Sequence, residues 1–332
     1  MSEKVEIIKL TSAEISTLWS TYLNVNVVNC FMTHYLETCN DPDILEILKE
    51  TNHFAEKHQN EIEQLFLKEK IAIPNGFNAN EHVVSNAPKL FSDVFYITSV
   101  LQMCKFGITS HTASFTLAAR EDIRVLFKDL IDDVSHLYNR VVNCMQEKGI
   151  YIRLPAMNYP SKVDYINNEN ILTGWFGKKR PLLGIEVTHL SSNGYQNDMG
   201  KVLCTGFSQV AQDREVKDYF LRGKKLCKSI SASIYEVIEE SEVSTGMPWD
   251  QSITNAEVAP FSDQFMLYII GILSALGITG YGAGISTSLR RDVGAMYANF
   301  IAKTVAFVED GINLMIDREW MEQPPKIMEQ EK

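Results

Sequence analysis

The sequence lacks the short motifs that mark common enzyme chemistries. Its 332 residues contain no GxGxxG run before a helix, no GKS or GKT phosphate loop and no GxSxG nucleophile turn. Isolated Ser, His and Asp residues occur, but no spacing brings them together as a catalytic set. The sequence therefore favours a non-enzymatic protein, and no catalytic residue is assigned.

Basic residues are also in deficit. Lys and Arg total 31 against 42 for Asp and Glu, which gives a net charge of −11 at pH 7. Because contacts to phosphate need clustered basic side chains, no nucleic-acid partner is expected. The six cysteines form no CxxC or other metal-binding spacing, so we predict reduced thiols. The opening residues MSEKVEIIKL contain no apolar secretory core, and a cytoplasmic location is expected.

One long segment lacks charge altogether. Residues 264–289 would be long enough to span a bilayer. The corresponding segment earlier in the chain, however, carries Lys105 and His111, and no second span follows. We interpret the uncharged segment as the buried central helix of a globular domain, so no membrane partner is expected.

The dominant positive feature is an internal repeat. GITSHTASFTLAAREDI at 107–123 returns as GITGYGAGISTSLRRDV at 277–293, which is 170 positions later. Phe-Ser-Asp recurs at the same offset, at 91–93 and at 261–263. Self-similarity over such a length indicates two tandem copies of one domain.

Each copy is predicted to fold as four helices. In the first copy, the capping-box sequence TSAE at 11–14 begins a helix that runs to about residue 39, and Pro42 begins the second. The third helix is predicted at about 89–118, and the fourth runs from the next corner to about residue 149. Two short connections and a middle loop of about eighteen residues predict a bundle with one long crossover, the ferritin-like arrangement.

The fold class is thus all-α, with two ferritin-like four-helix bundles related by internal duplication. A short strand is predicted at Leu183–Val187, and the linker is expected to be ordered because Trp175 and Phe176 would otherwise be exposed. The predicted domains are a first bundle at 1–155, the linker at 156–184, a second bundle at 185–325 and a polar tail at 326–332.

The chain also resembles a known family. The resemblance rests on LTSAEISTLW, GWFGKKRPL and EVTHL, together with the twice-used Phe-Ser-Asp and Gly-Ile-Thr stretches. These stretches are similar to those of tandem ferritin-like proteins of Bacillus and relatives, a domain of unknown function sometimes labelled spore-coat-like. The resemblance covers nearly all of the chain. It implies the duplicated helical fold and a spore-forming source, but its motifs mark a family and not a reaction.

A ferritin-like bundle raises the question of a metal site, because di-iron and di-manganese members use Glu residues and ExxH motifs from four helices. The first copy offers Glu50 with His53, and Asp133 with His136. Helical phase directs these side chains toward solvent or the edge of the core on separate helices, where they cannot share an ion. The second copy has Arg, Lys, Lys and Ala at the equivalent positions. We expect no metal and no cofactor, with iron or manganese as the only ions worth testing.

A polar stripe on the first helix is the other candidate site. Glu37 is predicted to be its only inward carboxylate, and His34 is placed about 100° away from it, so both are weak metal candidates. The stripe is interpreted as a hydrogen-bonded structural network, with a remnant ligand pocket as the alternative. Its members recur in steps of four, three, four and four: Tyr22, Asn26, Asn29, Thr33 and Glu37.

These observations predict a non-enzymatic structural or interaction protein, associated with the spore through its family resemblance. The alternative is a bundle that binds a metal or a small ligand in its N-terminal half only. A second protein or a spore component is the expected class of partner. The sequence leaves open the oligomeric state and the packing of the two bundles.

Overall fold

The computed structural model describes residues 8–157, 159–175, 179–241 and 252–327. Within these ranges the chain forms nine α-helices, one short 3-10 helix at Glu169–Leu172 and no β-strand, so the predicted all-α class is confirmed. The helices are α1 (Ser12–Thr38), α2 (Pro42–Glu69), α3 (Ala79–His82), α4 (Asp93–Leu117), α5 (Glu121–Glu147), α6 (Gly184–Val210), α7 (Arg214–Glu239), α8 (Asp263–Thr287) and α9 (Arg291–Asp317).

The chain divides into two compact units. Among the described residues, the first unit comprises 8–151, 260–262 and 321–327, and the second comprises 152–259 and 263–320. The long helices of the first unit are α1, α2, α4 and α5, and those of the second are α6 to α9. Each set of four corresponds to one copy of the sequence repeat, which confirms the internal duplication.

Local sequence accounts for the helix ends of the first unit. The Thr11 side chain accepts a hydrogen bond from the Glu14 N–H, and the Glu14 carboxylate accepts one from the Thr11 N–H at 2.7 Å. Asp41 caps α2 in the same way, with Pro42 at the first helical position, where a missing N–H costs nothing. Lys70 ends α2 in the left-handed conformation, at φ 57°. The predicted capping box and proline start are both present.

The structure differs in two respects from what was predicted for residues 175–187. The run Leu183–Val187 forms no strand, because Leu183 precedes the first turn of α6 and Glu186 reaches back to its backbone N–H. A short apolar run cannot by itself distinguish a strand from the start of a helix. Trp175 is 58% exposed, so it does not order the linker by burial, and Phe176 lies outside the described residues.

Each unit has an apolar core between its long helices. The cluster given below for the first unit comes from α1, α2 and α5, and the one for the second unit comes from α6, α7, α8 and α9. The core residues recur at helical spacing along their helices, as an amphipathic stripe requires. One core cluster of the first unit comprises Leu18, Tyr22, Ile62, Phe66, Ile123, Phe127 and Leu130. One core cluster of the second unit comprises Leu190, Ile230, Ile234, Ile238, Tyr281, Val293, Tyr297 and Phe300.

The helix α8 differs from the expected buried central helix. Its most apolar 18-residue window has a mean hydropathy of 1.7, and only 33% of that window is buried. By length and composition this helix could cross a membrane, as could the core helix of a soluble protein. One side of α8 is buried and includes Phe265, Met266 and Ile270, whereas Ala275 and Thr279 on the other side are exposed, so the expected burial is found on one side only.

Candidate functional site

The repeated Gly-Ile-Thr stretch leads into a corner that a buried carboxylate holds in each unit. Glu14 is 1% exposed, and its Oε1 accepts hydrogen bonds from the N–H groups of residues 119–120 at 2.9 and 2.7 Å. Glu186 is fully buried and accepts from the N–H groups of residues 289–290 at 3.0 and 3.1 Å. One carboxylate in each unit therefore joins the start of the first helix to the connection between the third and fourth.

The repeated Phe-Ser-Asp stretch does the same at the opposite end. Asp93 accepts hydrogen bonds from the Asn40 N–H at 3.3 and 3.4 Å. Asp263 accepts from the Gln212 N–H at 3.1 Å and from the Asp213 N–H at 2.6 Å. Each aspartate joins the start of the third helix to the connection between the first and second. The strongest signals of the repeat therefore specify the fold and not a reaction.

Glu37, the predicted inward carboxylate, is exposed. The buried face of α1 continues in steps of four through Asn26, Cys30 and His34. The predicted stripe used a step of three residues, from Asn26 to Asn29, where the buried face uses a step of four. The later members of the stripe, including Glu37, therefore lie off the buried face. His34, placed off this face by the prediction, is the buried residue.

The other candidates lie on the surface or along the boundary between α2 and α5. His53 is exposed. The Glu50 carboxylate pairs with Arg140, and its Oε1 lies 3.3 Å from His136 Nε2. Glu50 and His136 therefore do meet, contrary to the prediction, because long side chains at the edges of adjacent helices reach across their boundary. Within the described ranges, no three His, Cys, Asp or Glu side chains are placed to hold a metal ion.

Asp133 belongs to a polar cluster that was not predicted from the sequence. Its Oδ2 lies 2.7 Å from Lys57 Nζ and 2.9 Å from Nε2 of the buried His58, whose Nδ1 is 2.8 Å from a Glu61 oxygen. Nearby His111 is 9% exposed, and its Nδ1 has no hydrogen-bond partner. Burial, together with the charge of His58, lowers the pKa of His111 to about 4. The cluster joins α2 to α5, with a neutral histidine from α4 beside it.

His34 is enclosed by aromatic rings. It is 1% exposed, and neither ring nitrogen has a hydrogen-bond partner. Its ring centroid lies 5.4 Å from that of Phe261 and 6.5 Å from that of Tyr96, edge to face in both cases. Burial, with a smaller effect from the charge of Lys89, lowers the pKa of His34 to about 4. His34 therefore packs as a neutral core side chain.

The remaining polar residues of α1 form a hydrogen-bonded chain to α2. The Tyr22 hydroxyl donates to Glu63 at 2.8 Å, Gln59 Nε2 donates to Glu63 at 2.9 Å, and Asn29 Nδ2 donates to Gln59 at 2.5 Å. Burial and the Glu63 carboxylate raise the pKa of Tyr22 to about 12. Buried Asn26 accepts a hydrogen bond from the Phe77 N–H through Oδ1, and its Nδ2 has no partner.

The second unit carries the same tyrosine–carboxylate bond with the helices exchanged. The Tyr235 hydroxyl of α7 donates to Asp198 of α6, whereas in the first unit the tyrosine is on the first helix and the carboxylate on the second. Gly194 occupies the position equivalent to Tyr22, and a methyl group there would lie 3.0 Å from the Tyr235 ring. This exchange indicates that the bond joins the first two helices of each unit and is part of the scaffold.

One side of α8 is uncharged and partly or fully exposed. At Gly271 and Gly282 an added methyl group would meet no described atom within 4 Å, so these two positions face open space. Ala275 and Thr279, between them, are exposed. The whole surface, called the α8 face below, consists of Gly271, Ala275, Ile278, Thr279, Gly282 and Ser286.

The equivalent side of α4 has a different character. In the first repeat, Lys105 replaces Ala275, and Thr112 replaces Gly282. Thr116 replaces Ser286, and the buried Leu101 replaces Gly271, so the first repeat carries one charge and larger side chains on the same face. Because the two repeats share a scaffold, the scaffold does not require the uncharged α8 face, which is a property of the second repeat alone.

Comparison with known proteins agrees with the duplication. The model of the DUF3231 family, described as a protein of unknown function, matches residues 3–163 and again residues 170–332. No curated protein matches the chain. A solved structure of a candidate spore coat protein from Bacillus halodurans is similar at 19% identity and a TM-score of 0.43, over 45% of this chain and 98% of that one. Since the family model covers almost the whole chain in two matches, the chain belongs to the DUF3231 family and carries its unit twice.

Proposed function

We propose that this chain is a non-enzymatic helical interaction protein that associates with a second copy of itself through the α8 face. The observation that carries the proposal is the exposure of this uncharged face on a helix with a mean hydropathy of 1.7 over 18 residues. Contiguous exposed apolar surfaces on soluble proteins mark interaction sites. The chain as a whole has a net charge of −11, whereas this side of α8 has no charged residue.

A second copy suits this face because its small residues leave room for another helix backbone. Small residues at helical spacing allow two helices to approach closely, and a two-fold axis brings the same surface of each copy together. Gly271, Ala275 and Gly282 supply such a surface, with Ile278 beside them. A face that is flat and uncharged is complementary to itself.

The proposal is tested by a charge placed on the α8 face. We expect the wild-type chain to sediment as a dimer and Ala275→Lys, which introduces the residue of the first repeat, to sediment as a monomer. The reason is that two lysines would meet across the two-fold axis in a water-excluding contact, which costs several kcal/mol. Sedimentation equilibrium over a wide concentration range measures both states.

The matched control is Val305→Lys, which adds the same charge at an exposed position of α9 and should leave the dimer intact. A wild-type chain that stays monomeric at every concentration would refute the proposal. Flotation with phosphatidylcholine vesicles separates the membrane alternative. Binding of the wild type to vesicles, lost in Ala275→Lys, would assign the α8 face to lipid instead.

The proposed setting is the spore or the sporulating cell, on the ground of the family resemblance of the sequence. Immunoblotting of fractions from vegetative cells, sporulating cells and purified spores of the source organism tests this part separately. We expect the protein in the sporulating or spore fractions. Presence in vegetative cells alone would refute the spore assignment without affecting self-association.

A further inference from the structure

Two cysteines of the second unit face each other across α6 and α7. Cys204 of α6 lies opposite Gly223 of α7, where a methyl group would come within 2.8 Å of the Cys204 sulfur. Cys227 of α7 lies opposite Gly200 of α6, where a methyl group would come within 3.0 Å of the Cys227 sulfur. Each helix therefore carries Gly-x-x-x-Cys, and each glycine makes room for the cysteine of the other helix.

This reciprocal arrangement places both sulfurs in the contact between α6 and α7. Interaction with the neighbouring Cys227 thiol, together with burial, raises the pKa of Cys204 well above its ordinary value. Cys204 is 1% exposed, whereas Cys227 is half-buried and so in reach of small solutes. A buried thiol thus lies beside an accessible one.

The first unit has nothing equivalent. At the four positions that correspond to the two glycines and two cysteines it carries Val28, Met32, Thr51 and Ala55. The remaining cysteines of the chain, at positions 30, 39, 104 and 144, all belong to the first unit. Since the shared scaffold does not require the paired thiols, the second repeat has a chemistry that the first lacks.

We propose that Cys204 and Cys227 form an oxidisable site that a peroxide converts into a disulfide joining α6 to α7. The Cys227 thiolate attacks one peroxide oxygen, the O–O bond breaks, and Cys227 becomes a sulfenic acid as one molecule of water or alcohol leaves. The Cys204 sulfur then attacks the Cys227 sulfur, and the S–O bond breaks with loss of water. Two thiols lose two electrons and two protons in total, and the peroxide is reduced.

The test uses the full-length reduced chain and hydrogen peroxide. After oxidation, free thiols are blocked with N-ethylmaleimide and the protein is digested with trypsin without reduction. We expect a linked pair of peptides, 202–214 with 226–228, at the lowest peroxide doses that modify any cysteine. The melting temperature of the second unit should also rise by roughly 5–10 °C on oxidation, because the disulfide closes a loop and lowers the conformational entropy of the unfolded chain.

Two variants make the result specific. Cys227→Ser should abolish both the linked peptides and the rise in melting temperature, whereas Cys144→Ser should leave both unchanged. Gly223→Ala, which presses a methyl group against the Cys204 sulfur, should slow linkage several-fold. Gly294→Ala, where an added methyl group would lie 4.0 Å from the nearest described atom, should not. Sulfinic acid at Cys227 without linked peptides would overturn the proposal, as would earlier linkage of any other cysteine pair.

Discussion

Between pH 7 and pH 4, the free energy of unfolding of the first unit is expected to fall by roughly 3 kcal/mol more in the wild type than in His34→Leu. Burial, and to a smaller degree the charge of Lys89, lowers the pKa of His34 from 6.5 to about 4 in the folded chain. The unfolded chain therefore binds the proton first as the pH falls. The stability that neutral His34 allows is complete above about pH 6.5 and is lost progressively down to about pH 4.

The substitution should also stabilise the first unit at pH 7 by about 1 kcal/mol, because it removes two buried nitrogens that have no partner. Calorimetric unfolding of wild type and His34→Leu over this pH range, with hydrogen exchange of α1 peptides to assign the transition, measures both effects. His53→Leu changes an exposed histidine and should run parallel to wild type. Parallel curves for wild type and His34→Leu would show that the His34 ring is hydrated in the folded chain.

His111 acts in the same direction. Its pKa is also lowered to about 4, by burial and by the charge of His58. The first unit therefore loses stability through two separate histidines over one pH range, while no equivalent is found in the described part of the second unit, where positions 206 and 281 are Gly and Tyr. Acid should unfold the first repeat before the second.

The sequence predicted the helices because their ends depend on local chemistry. Capping by Thr11, the proline at position 42 and the alternation of core residues each act within one or two turns. The repeat added a second, independent copy of each signal. These interactions need no knowledge of what lies across the bundle, so the element order followed from the sequence alone.

The buried histidines could not be predicted in the same way. Asn29 and Cys30 are adjacent, so their side chains point about 100° apart around α1. A core face drawn through Asn29 predicts that Glu37 is buried, whereas the observed face through Cys30 buries His34. His58 has a clearer signal, since it falls between Ala55 and Ile62 in the regular core spacing of α2. At His58 the partner is a carboxylate from another helix, Asp133 of α5.

The exposure of one side of α8 could not be predicted from the sequence, for a different reason. Hydropathy reports how apolar a segment is, and it does not report what covers it. The same charge-free run fits a buried helix, a membrane span or a docking surface. The comparison between the two repeats bears on these alternatives, because the equivalent side of α4 carries Lys105 where α8 carries Ala275.

Removal of the Glu186 carboxylate is expected to have the largest effect of any single substitution in the second unit. Both Arg180 nitrogens bind it at 2.8 Å, and it also accepts from the backbone N–H groups of residues 183, 289 and 290. Burial by itself would raise the pKa of Glu186, but Arg180 and these N–H groups outweigh it and hold the pKa below its ordinary value. Glu186→Ala should cost about 3–5 kcal/mol, because it leaves three N–H groups unpaired and removes the carboxylate partner of the half-buried Arg180 guanidinium, which keeps only carbonyl acceptors.

The equivalent carboxylate in the first unit gives a matched comparison. Glu14 accepts from three backbone N–H groups and the Thr11 hydroxyl, but Arg120 directs its guanidinium to Glu69 and Asp122 instead. Glu14→Ala should therefore cost less than Glu186→Ala, about 2–3 kcal/mol, because no guanidinium loses its carboxylate partner. Glu46→Ala, on an exposed pair, should change stability by no more than about 0.5 kcal/mol.

The two glutamates also have a defined pH dependence that separates their effect from that of the histidines. Their lowered pKa values mean that their stabilisation is present above the ordinary carboxyl pKa and is lost as the pH falls through the folded value. The loss of stability from Glu186→Ala should accordingly be full at pH 7 and shrink below about pH 4.5. Urea unfolding of the variants at pH 7 and pH 4 measures both terms. Addition of Arg180→Ala should recover part of the loss at pH 7, since it removes a guanidinium that has lost its carboxylate partner. Additive free-energy changes in the double variant would contradict an interaction between Arg180 and Glu186.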